Sequence, residues 1–236
     1  MTPGRRITMT TTEGALYRLM TWLSPSYPLG AFSYSHGLEY AIEAGLVRDG
    51  NGLRDFVATA VAAGAGRSDG ALLAAAWRAA TAEDSAALDE VAALAAAWRG
   101  TAETALESRA QGAAFLATTR AAWPHRWLDA FALRHRGEAA LPVAIGIAAA
   151  AHGVPLAPTL TAFLHAFAGA LVSAGLRLVP LGQSEGQRLM ASLAPAIAAA
   201  VDDAQSTPLD EVGTAAPLVD WCSMRHETQY TRLFRS

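Results

Sequence analysis

The chain has 236 residues, a formal net charge of −3 and one cysteine, and all 18 of its basic residues are arginine. Because arginine does not release its proton, this composition excludes a P-loop nucleotide hydrolase, a Schiff-base enzyme and a Ser-Lys hydrolase, each of which needs a lysine. The charge balance supplies no basic surface for nucleic acid or anionic lipid, and a single cysteine cannot form an internal disulfide.

The predicted elements are all helices, because apolar residues recur at a spacing of three to four and no run of alternating β-branched residues is present. Residues 1–12 are polar and rich in threonine, and we predict a flexible tail there. The first helix carries the apolar residues from Leu16 to Leu23 and ends at Ser24-Pro25. Two more are predicted, from Ser35 to Ala44 with Ser35 as N-cap, and from Asn51 to a stop at Gly64.

The glycine-rich stretch from Gly64 to Gly70 has the wrong spacing for a dinucleotide loop and is predicted to be a turn between helices. Helical spacing then continues from Asp69 to Ala80, from Asp84 to Trp98 and from Thr101 to Ala122. These segments contain the apolar residues of a core.

An uncharged apolar stretch, Leu160 to Leu176, has the composition of a membrane span, but His165 interrupts it and Arg177 closes it. We therefore predict no membrane contact, and a central helix buried on all sides in a bundle or at a subunit interface. The next helix is expected from Gln183 to Gln205, interrupted or bent at Pro195. The pattern as a whole predicts a single all-α domain, a bundle of about ten helices over residues 13–236.

Residues 206–236 are predicted to form an irregular C-terminal arm that docks on a partner. Arginines at positions 225, 232 and 235 alternate there with large apolar side chains, namely Trp221, Tyr230, Leu233 and Phe234. Arginine and aromatic side chains anchor protein interfaces, so this composition favours a docking arm over a disordered end.

Two stretches suggest chemistry. The sequence around Ser35, Ser33-Tyr34-Ser35-His36-Gly37, half-matches a nucleophile elbow, but no strand precedes it, so a serine hydrolase is only a distant alternative to a helix start. Cys222 and His226 stand four residues apart and would share one helix face, which makes them candidates for holding nickel, copper or zinc in transit. Two ligands do not form a stable site, and we predict no stably bound metal or cofactor.

Three blocks in the same order resemble the urease accessory protein UreF family. They are Pro28-Leu29-Gly30-Ala31-Phe32-Ser33-Tyr34-Ser35-His36-Gly37-Leu38-Glu39, then Arg177-Leu178-Val179-Pro180-Leu181-Gly182-Gln183 with Gly186-Gln187, and the ending His226-Glu227 with Arg232-Leu233-Phe234-Arg235-Ser236. A weaker match is Glu107-Ser108-Arg109. The resemblance spans nearly the whole chain from Leu16.

The resemblance implies an all-helical, non-enzymatic cytoplasmic protein that is a homodimer. Its implied partners are the accessory protein UreD, called UreH in some systems, the GTPase UreG and, through that complex, the apo-urease subunits that receive nickel. The residues it implies for partner binding are Tyr34, Ser35, Glu39, Arg177, Gln183, His226, Glu227, Arg232, Phe234 and Arg235. An ion pair between Glu39 and Arg177 inside the monomer is an equally open reading of those two residues.

Two mechanisms follow from the resemblance. In the first, the protein is an adaptor that holds its partners so that nickel passes through the complex without entering solvent. In the second, it also regulates the GTPase by supplying an arginine to the transition state, for which the candidates are Arg177, Arg225, Arg232 and Arg235.

Overall fold

The computed structural model describes residues 9–236, and within that range the chain forms twelve α-helices, two short 3₁₀ turns and no strand. The predicted all-α class is confirmed, with twelve helices rather than about ten. The helices are α1 (Thr11–Trp22), α2 (Leu38–Glu43), α3 (Gly50–Ala62), α4 (Ala65–Thr81), α5 (Ser85–Ala97), α6 (Ala102–Ala122), α7 (Arg126–Arg134), α8 (Leu141–Ala151), α9 (Leu156–Leu178), α10 (Gln183–Ser192), α11 (Ala194–Ser206) and α12 (Pro217–His226). The 3₁₀ turns are Ala31–Ser33 and Leu209–Glu211.

The first helix begins inside the segment predicted as a tail. Thr10 and Glu13 form a reciprocal cap, in which the Thr10 side chain accepts from the Glu13 amide at 3.2 Å and the Glu13 carboxylate accepts from the Thr10 amide at 2.7 Å. Residues 1–8 of the predicted tail lie outside the described residues.

The centre of the bundle is α8, which packs between α4 and α6. Its composition of alanine, valine, isoleucine and glycine lets neighbouring backbones approach closely. A Cβ on Gly146 would lie 2.7 Å from the Leu73 carbonyl oxygen of α4.

The predicted turn from Gly64 to Gly70 is wrong, because α4 already begins at Ala65. Gly70 is a residue of α4, and it packs against Ala204.

The uncharged helix α9 packs against α3, α4 and α11, as expected of a bundle helix. It is the one helix in the part of the chain described here that is long and apolar enough to cross a membrane. Only 50% of its most apolar window is buried within this chain, so α9 is not buried on all sides in the bundle, and its burial at a subunit interface stays a prediction. One face of α9, from Thr161 to Ser173, is open.

The predicted helix from Gln183 to Gln205 is two helices, which separate at Leu193 where Pro195 occupies the first turn of α11. The arm is not irregular throughout, because it contains α12. The buried face of α12 consists of Val219, Cys222, Ser223 and His226. Two of these four residues are polar, so the apolar periodicity that indicates a helix is weak there.

Candidate functional site

The C-terminal segment, residues 227–236, folds back over α2, α6 and the 3₁₀ turn Ala31–Ser33. Two of its side chains are buried, since Phe234 is 3% exposed and Ser236 is fully enclosed. Its backbone joins the first family block directly, with the Arg235 amide donating to the Ser33 carbonyl at 2.7 Å and the Ser35 amide donating to the Ser236 carbonyl at 2.6 Å. The first and last blocks of the sequence therefore form one structural unit.

A buried histidine forms the centre of this unit. His226 ends α12, is fully buried, and lies between two carboxylates. Its Nδ1 is 2.8 Å from Glu103 Oε2, and its Nε2 is 3.0 Å from Glu39 Oε2. Two ionised carboxylates can both accept from the ring only when both of its nitrogens carry a proton, and the geometry places the ring where that form would balance buried negative charge.

Glu39 on α2 holds the backbone of the C-terminal segment. Its Oε1 accepts from the Leu233 amide at 2.6 Å, and its Oε2 accepts from the Phe234 amide at 2.9 Å as well as from His226. A carboxylate, which is an acceptor at both oxygens, satisfies all three donors. Glu39 is thus a buried residue that holds the C-terminal segment in place, and it is not exposed to a partner.

The position of Glu39 depends on a glycine at the start of α2. Gly37 has φ +76° and lies directly against α12. A Cβ at this position would fall 2.6 Å from the Cys222 carbonyl carbon and closer still to the Ser223 amide nitrogen. The predicted helix start at Ser35 is therefore wrong, since the left-handed residue Gly37 precedes the first helical residue, Leu38.

Glu103, in the first turn of α6, accepts from His226 and from Arg232, whose Nη1 lies 3.0 Å from Glu103 Oε1. Burial raises the pKa of Glu103, and His226 and Arg232 act in the opposite direction. The glutamate was missed in the sequence, although it lies four residues before Glu107 and so on the same face of one helix.

Glu107 fastens the last residue. Its carboxylate accepts from Ser236 Oγ at 3.1 Å, from Gln111 Nε2 at 2.8 Å and from His36 at 3.0 Å. Burial alone would lower the pKa of His36, but the Glu107 carboxylate, aided by Asp69, raises that pKa above its usual value. Three carboxylates, on α2 and α6, therefore hold residues 232–236.

Ser35 is fully buried and donates its hydroxyl to the Ser236 carbonyl. The neighbouring His36 contacts Glu107 rather than Ser35, so no base faces the hydroxyl. The distant alternative of a hydrolase with Ser35 as nucleophile is not supported. Tyr34 is also buried, and burial raises the pKa of its phenol.

Arg177, near the end of α9, does not pair with Glu39. Its Nη2 donates to the Phe32 carbonyl at 2.9 Å, and its guanidinium lies over the Phe234 ring, 4.3 Å from the centroid. The alternative of a Glu39–Arg177 ion pair is wrong, because Glu39 is fully occupied by the C-terminal segment. Arg177 instead clamps the first block to the last.

The remaining predicted partner residues lie outside the buried cluster. Gln183 is exposed at the first turn of α10 and forms no hydrogen bond to the cluster. Glu227 is exposed and accepts from the Ala102 amide at 3.2 Å. The Arg235 side chain is exposed and forms no hydrogen bond or ion pair within residues 9–236. Arg225 contacts the Tyr40 ring.

The Cys222–His226 pair does not have the character of a nickel site. Both nitrogens of His226 are taken by carboxylates, and burial raises the pKa of the fully enclosed Cys222 thiol to about 11. A metal needs the thiolate and a free ring nitrogen. No cluster of three or more metal-ligating side chains occurs among residues 9–236.

We predict that Cys222 resists thiol reagents in the folded protein. With a pKa of about 11, the thiol stays protonated at pH 7 to 8, and the fully enclosed sulfur is also shielded from the reagent. Labelling with a chromogenic disulfide should be slow at pH 8 and complete in urea. Rapid labelling of the native protein at pH 8 would contradict this burial.

Two cavities meet beside the cluster, and both are lined by His36 and Arg99. One, of about 300 Å³, lies between α4 and α12, and the other, of about 290 Å³, opens between α9 and the first family block. Arg99 pairs with the buried Asp69 at 2.8 Å where the cavities approach each other. Burial raises the pKa of Asp69, and the Arg99 charge opposes that effect.

These features define an all-α protein in which buried ionisable side chains hold the protein's own C-terminal segment in place. The UreF family model matches residues 47–194. Urease accessory protein UreF of Granulibacter bethesdensis is 55% identical over 97% of both chains, and that of Rhodopseudomonas palustris strain BisB5 is 54% identical over 95% of this chain and 92% of its own. The Bradyrhizobium diazoefficiens protein of the same name is 49% identical over 94% of this chain and 92% of its own. The chain belongs to the urease accessory protein UreF family, which confirms the family predicted from the motifs.

Proposed function

We propose that this protein is a non-enzymatic adaptor in urease maturation, which as a cytoplasmic homodimer bridges UreD/UreH and the GTPase UreG during nickel delivery to apo-urease. Family membership supports the accessory role. The observation that carries the adaptor role is the C-terminal segment itself. Buried carboxylates of α2 and α6 hold it in place, and several of its large side chains are exposed to solvent.

The outward side chains of this segment suit an interface. Tyr230 and Leu233 are exposed by 103% and 63%, and Arg235 is exposed as well. The backbone amides of Leu233 and Phe234 donate hydrogen bonds to the Glu39 carboxylate, so the backbone that carries these side chains is ordered. A surface that is already ordered loses little conformational freedom on binding, so its aromatic and arginine side chains contribute more of their contact energy to affinity.

Nickel in this proposal is cargo and not a resident cofactor. The two cavities that meet at His36 supply carboxylate, imidazole and hydroxyl groups along their walls, among them Glu107, Asp220 and Ser223. Each offers a weak oxygen or nitrogen ligand, and transient binding requires weak ligands. The metal would pass such groups singly and would not be held at a stable site.

We predict that the double variant Leu233→Ala/Arg235→Ala weakens assembly without loss of fold. Both side chains are exposed, so the free energy of unfolding should change by less than about 1 kcal/mol, whereas affinity for a partner should fall at least about tenfold. Co-expression with UreD and UreG followed by size-exclusion chromatography measures the assembly.

The matched control is Arg126→Ala on α7, which is similarly exposed and lies in no family block. Assembly unchanged in the double variant would place the partner surface elsewhere. Separate elution of the parent chain, UreD and UreG would reject the adaptor role itself.

One observation favours the second mechanism, regulation of the GTPase. Of the four candidate arginines, Arg177, Arg225 and Arg232 contact groups of this chain, whereas Arg235 is unengaged and exposed. An arginine that stabilises a phosphoryl transition state must be available to reach it. If Arg235→Ala lowers GTP turnover in the complex while assembly is unchanged, the arginine acts in hydrolysis; equal loss of both means docking alone.

A further inference from the structure

A group of basic side chains that belongs to no family block lies where the end of α1, the start of α7 and the end of α8 meet. The His152 ring lies 5.6 Å from the Trp22 ring and 5.5 Å from the His125 ring, measured between centroids. Arg18 precedes Trp22 by about one turn of α1 and so lies on the same helix face. We call Arg18, Trp22, His125 and His152 the basic cluster.

Two buried donors of the basic cluster lack an acceptor. Trp22 is fully enclosed, and its Nε1 forms no hydrogen bond within residues 9–236. The Nε of Arg18 is buried in the same way and is also without a partner there. Gly14, one turn earlier, leaves room for the guanidinium, because a Cβ on it would lie only 3.2 Å from Arg18 Nη1. Since buried donors in native proteins are almost always satisfied, we expect an acceptor from outside the chain at this place.

The carboxylates of the adjoining helices are engaged elsewhere. Glu13, on α1, accepts from the Thr10 amide at 2.7 Å, and Asp129, in the first turn of α7, pairs with Arg120 at 2.8 Å. No carboxylate in the described part of the chain forms an ion pair with Arg18. The basic cluster therefore carries positive charge without a counter-ion, which favours an anion as the missing acceptor.

The titration of His152 reflects the same imbalance. Burial lowers the pKa of His152, and the charges of Arg18 and His125 act in the same direction, while the hydrogen bond to the Trp123 carbonyl opposes them. No carboxylate acts on this ring. An anion beside the ring would offset the neighbouring positive charges and raise the pKa of His152.

Two neighbouring imidazoles are also typical of a metal site, but their hydrogen bonds disfavour one. His152 Nε2 donates to the Trp123 carbonyl at 3.1 Å, which leaves a lone pair on Nδ1. His125 Nδ1 accepts from the Trp127 amide at 3.3 Å, so Nε2 carries the proton of the neutral ring. A metal needs a lone pair from each ring, whereas an anion accepts the His125 N–H as it stands. The charge of Arg18 also repels a metal cation.

We propose that the basic cluster binds a small inorganic oxyanion, with Arg18 supplying the charge and the N–H groups of Trp22 and His125 supplying further hydrogen bonds. Phosphate has the charge and the acceptor oxygens to satisfy several donors at once. Arg18, His125 and His152 are partly exposed, so the anion can enter from solvent. The positive end of α7, which begins at Arg126, adds to the attraction. This site goes beyond the adaptor role and does not depend on it.

The bound anion would connect α1 to the rest of the bundle. The buried residues of α1 are Ala15, Leu19 and Trp22, so the helix is held chiefly by this one face. An ion shared by Arg18 and His125 adds a charged link from α1 to α7. Occupancy of the site should therefore slow hydrogen exchange of the α1 amides.

Nuclear magnetic resonance of the histidine rings and tryptophan indoles in the full chain tests the site. Phosphate is titrated at constant ionic strength near pH 7, with chloride in the parallel titration. We expect saturable shifts of the Trp22, His125 and His152 signals, a dissociation constant in about the millimolar range, and a raised pKa of His152. The exposed His165, on α9, should not respond.

Arg18→Gln removes the charge that holds the anion. It should raise the phosphate dissociation constant at least about tenfold, because a hydrogen bond to a charged group is lost with it. The matched control is Arg126→Gln, which removes an exposed arginine next to His125 that pairs with Glu83 at 2.9 Å. Its dissociation constant should stay within about twofold of the parent value, and circular dichroism checks the fold of both variants.

The proposal is wrong if phosphate gives no saturable shift in the parent chain, or if chloride gives the same shift at equal ionic strength. It is also wrong if Arg126→Gln weakens binding as much as Arg18→Gln, which would mean diffuse attraction. A response of both histidines to Ni²⁺ and none to phosphate would mean a metal site instead. Because the isolated chain is used, failure of the anion site leaves the adaptor role standing, and co-elution with UreD and UreG tests that role separately.

Discussion

Replacement of His226 by alanine is expected to lower the free energy of unfolding by about 3–5 kcal/mol, because it leaves the buried carboxyl groups of Glu39 and Glu103 without the ring that bridges them. For a chain of this length such a loss corresponds to a decrease of roughly 10 °C in the melting temperature. Thermal and urea unfolding measure it. Hydrogen exchange adds a local readout, since the Leu233 and Phe234 amides should lose protection.

The control for this variant is the adjacent Glu227→Ala. Glu227 is exposed and its one hydrogen bond is to the Ala102 amide, so we expect a change of less than about 1 kcal/mol. If His226→Ala unfolds like the parent, the carboxylate bridge does not stabilise the C-terminal segment. A stable His226→Ala variant that fails only in partner binding would restore the first interpretation of His226 as a contact residue.

Gly37→Ala is expected to have an effect of similar size, at least about 3 kcal/mol. The left-handed backbone at φ +76° disfavours a side chain by about 1–2 kcal/mol, and the new methyl group would overlap the backbone of α12. Relief of that overlap requires α12 to move away from α2, which separates His226 from Glu39. Urea unfolding and exchange of the 233–234 amides should therefore report the same disruption as His226→Ala.

Gly30→Ala separates the two contributions. Gly30 has almost the same conformation, φ +72°, but a Cβ there meets nothing within 4 Å. It should lower the free energy of unfolding by about 1–2 kcal/mol, from the backbone alone. Equal effects at Gly30 and Gly37 would show that the contact between α2 and α12 is less close than the structure indicates.

The family motifs combine two kinds of residue that the sequence does not distinguish. Ser35, Glu39, His226 and Phe234 are internal, and their role is to hold the C-terminal segment against the first block. Arg235 and Leu233 are exposed on that segment and remain available to a partner. Loss of assembly on substitution of an internal residue would therefore report an unfastened segment rather than a lost contact.

Much of the secondary structure could be predicted from apolar spacing and caps. Thr101 opens α6, which ends at Ala122, as its N-cap and the following Trp123-Pro124 indicate. Asp84 caps α5 in the same way. The prediction failed for α12 and for the glycines of α4, because buried polar residues and close helix contacts do not follow the simple apolar pattern.

The sequence by itself determined the all-α class and the family, and the absence of lysine excluded a P-loop nucleotide hydrolase. It also identified Glu39, His226 and the last five residues as parts of the motifs that resemble the family. Only the tertiary structure decided that they contact one another, because Glu39 and Phe234 are almost two hundred positions apart in the chain and their hydrogen bond leaves no local pattern. It likewise decided that α9 has one open face, because burial depends on which neighbours pack against a helix and an apolar composition is the same with or without them.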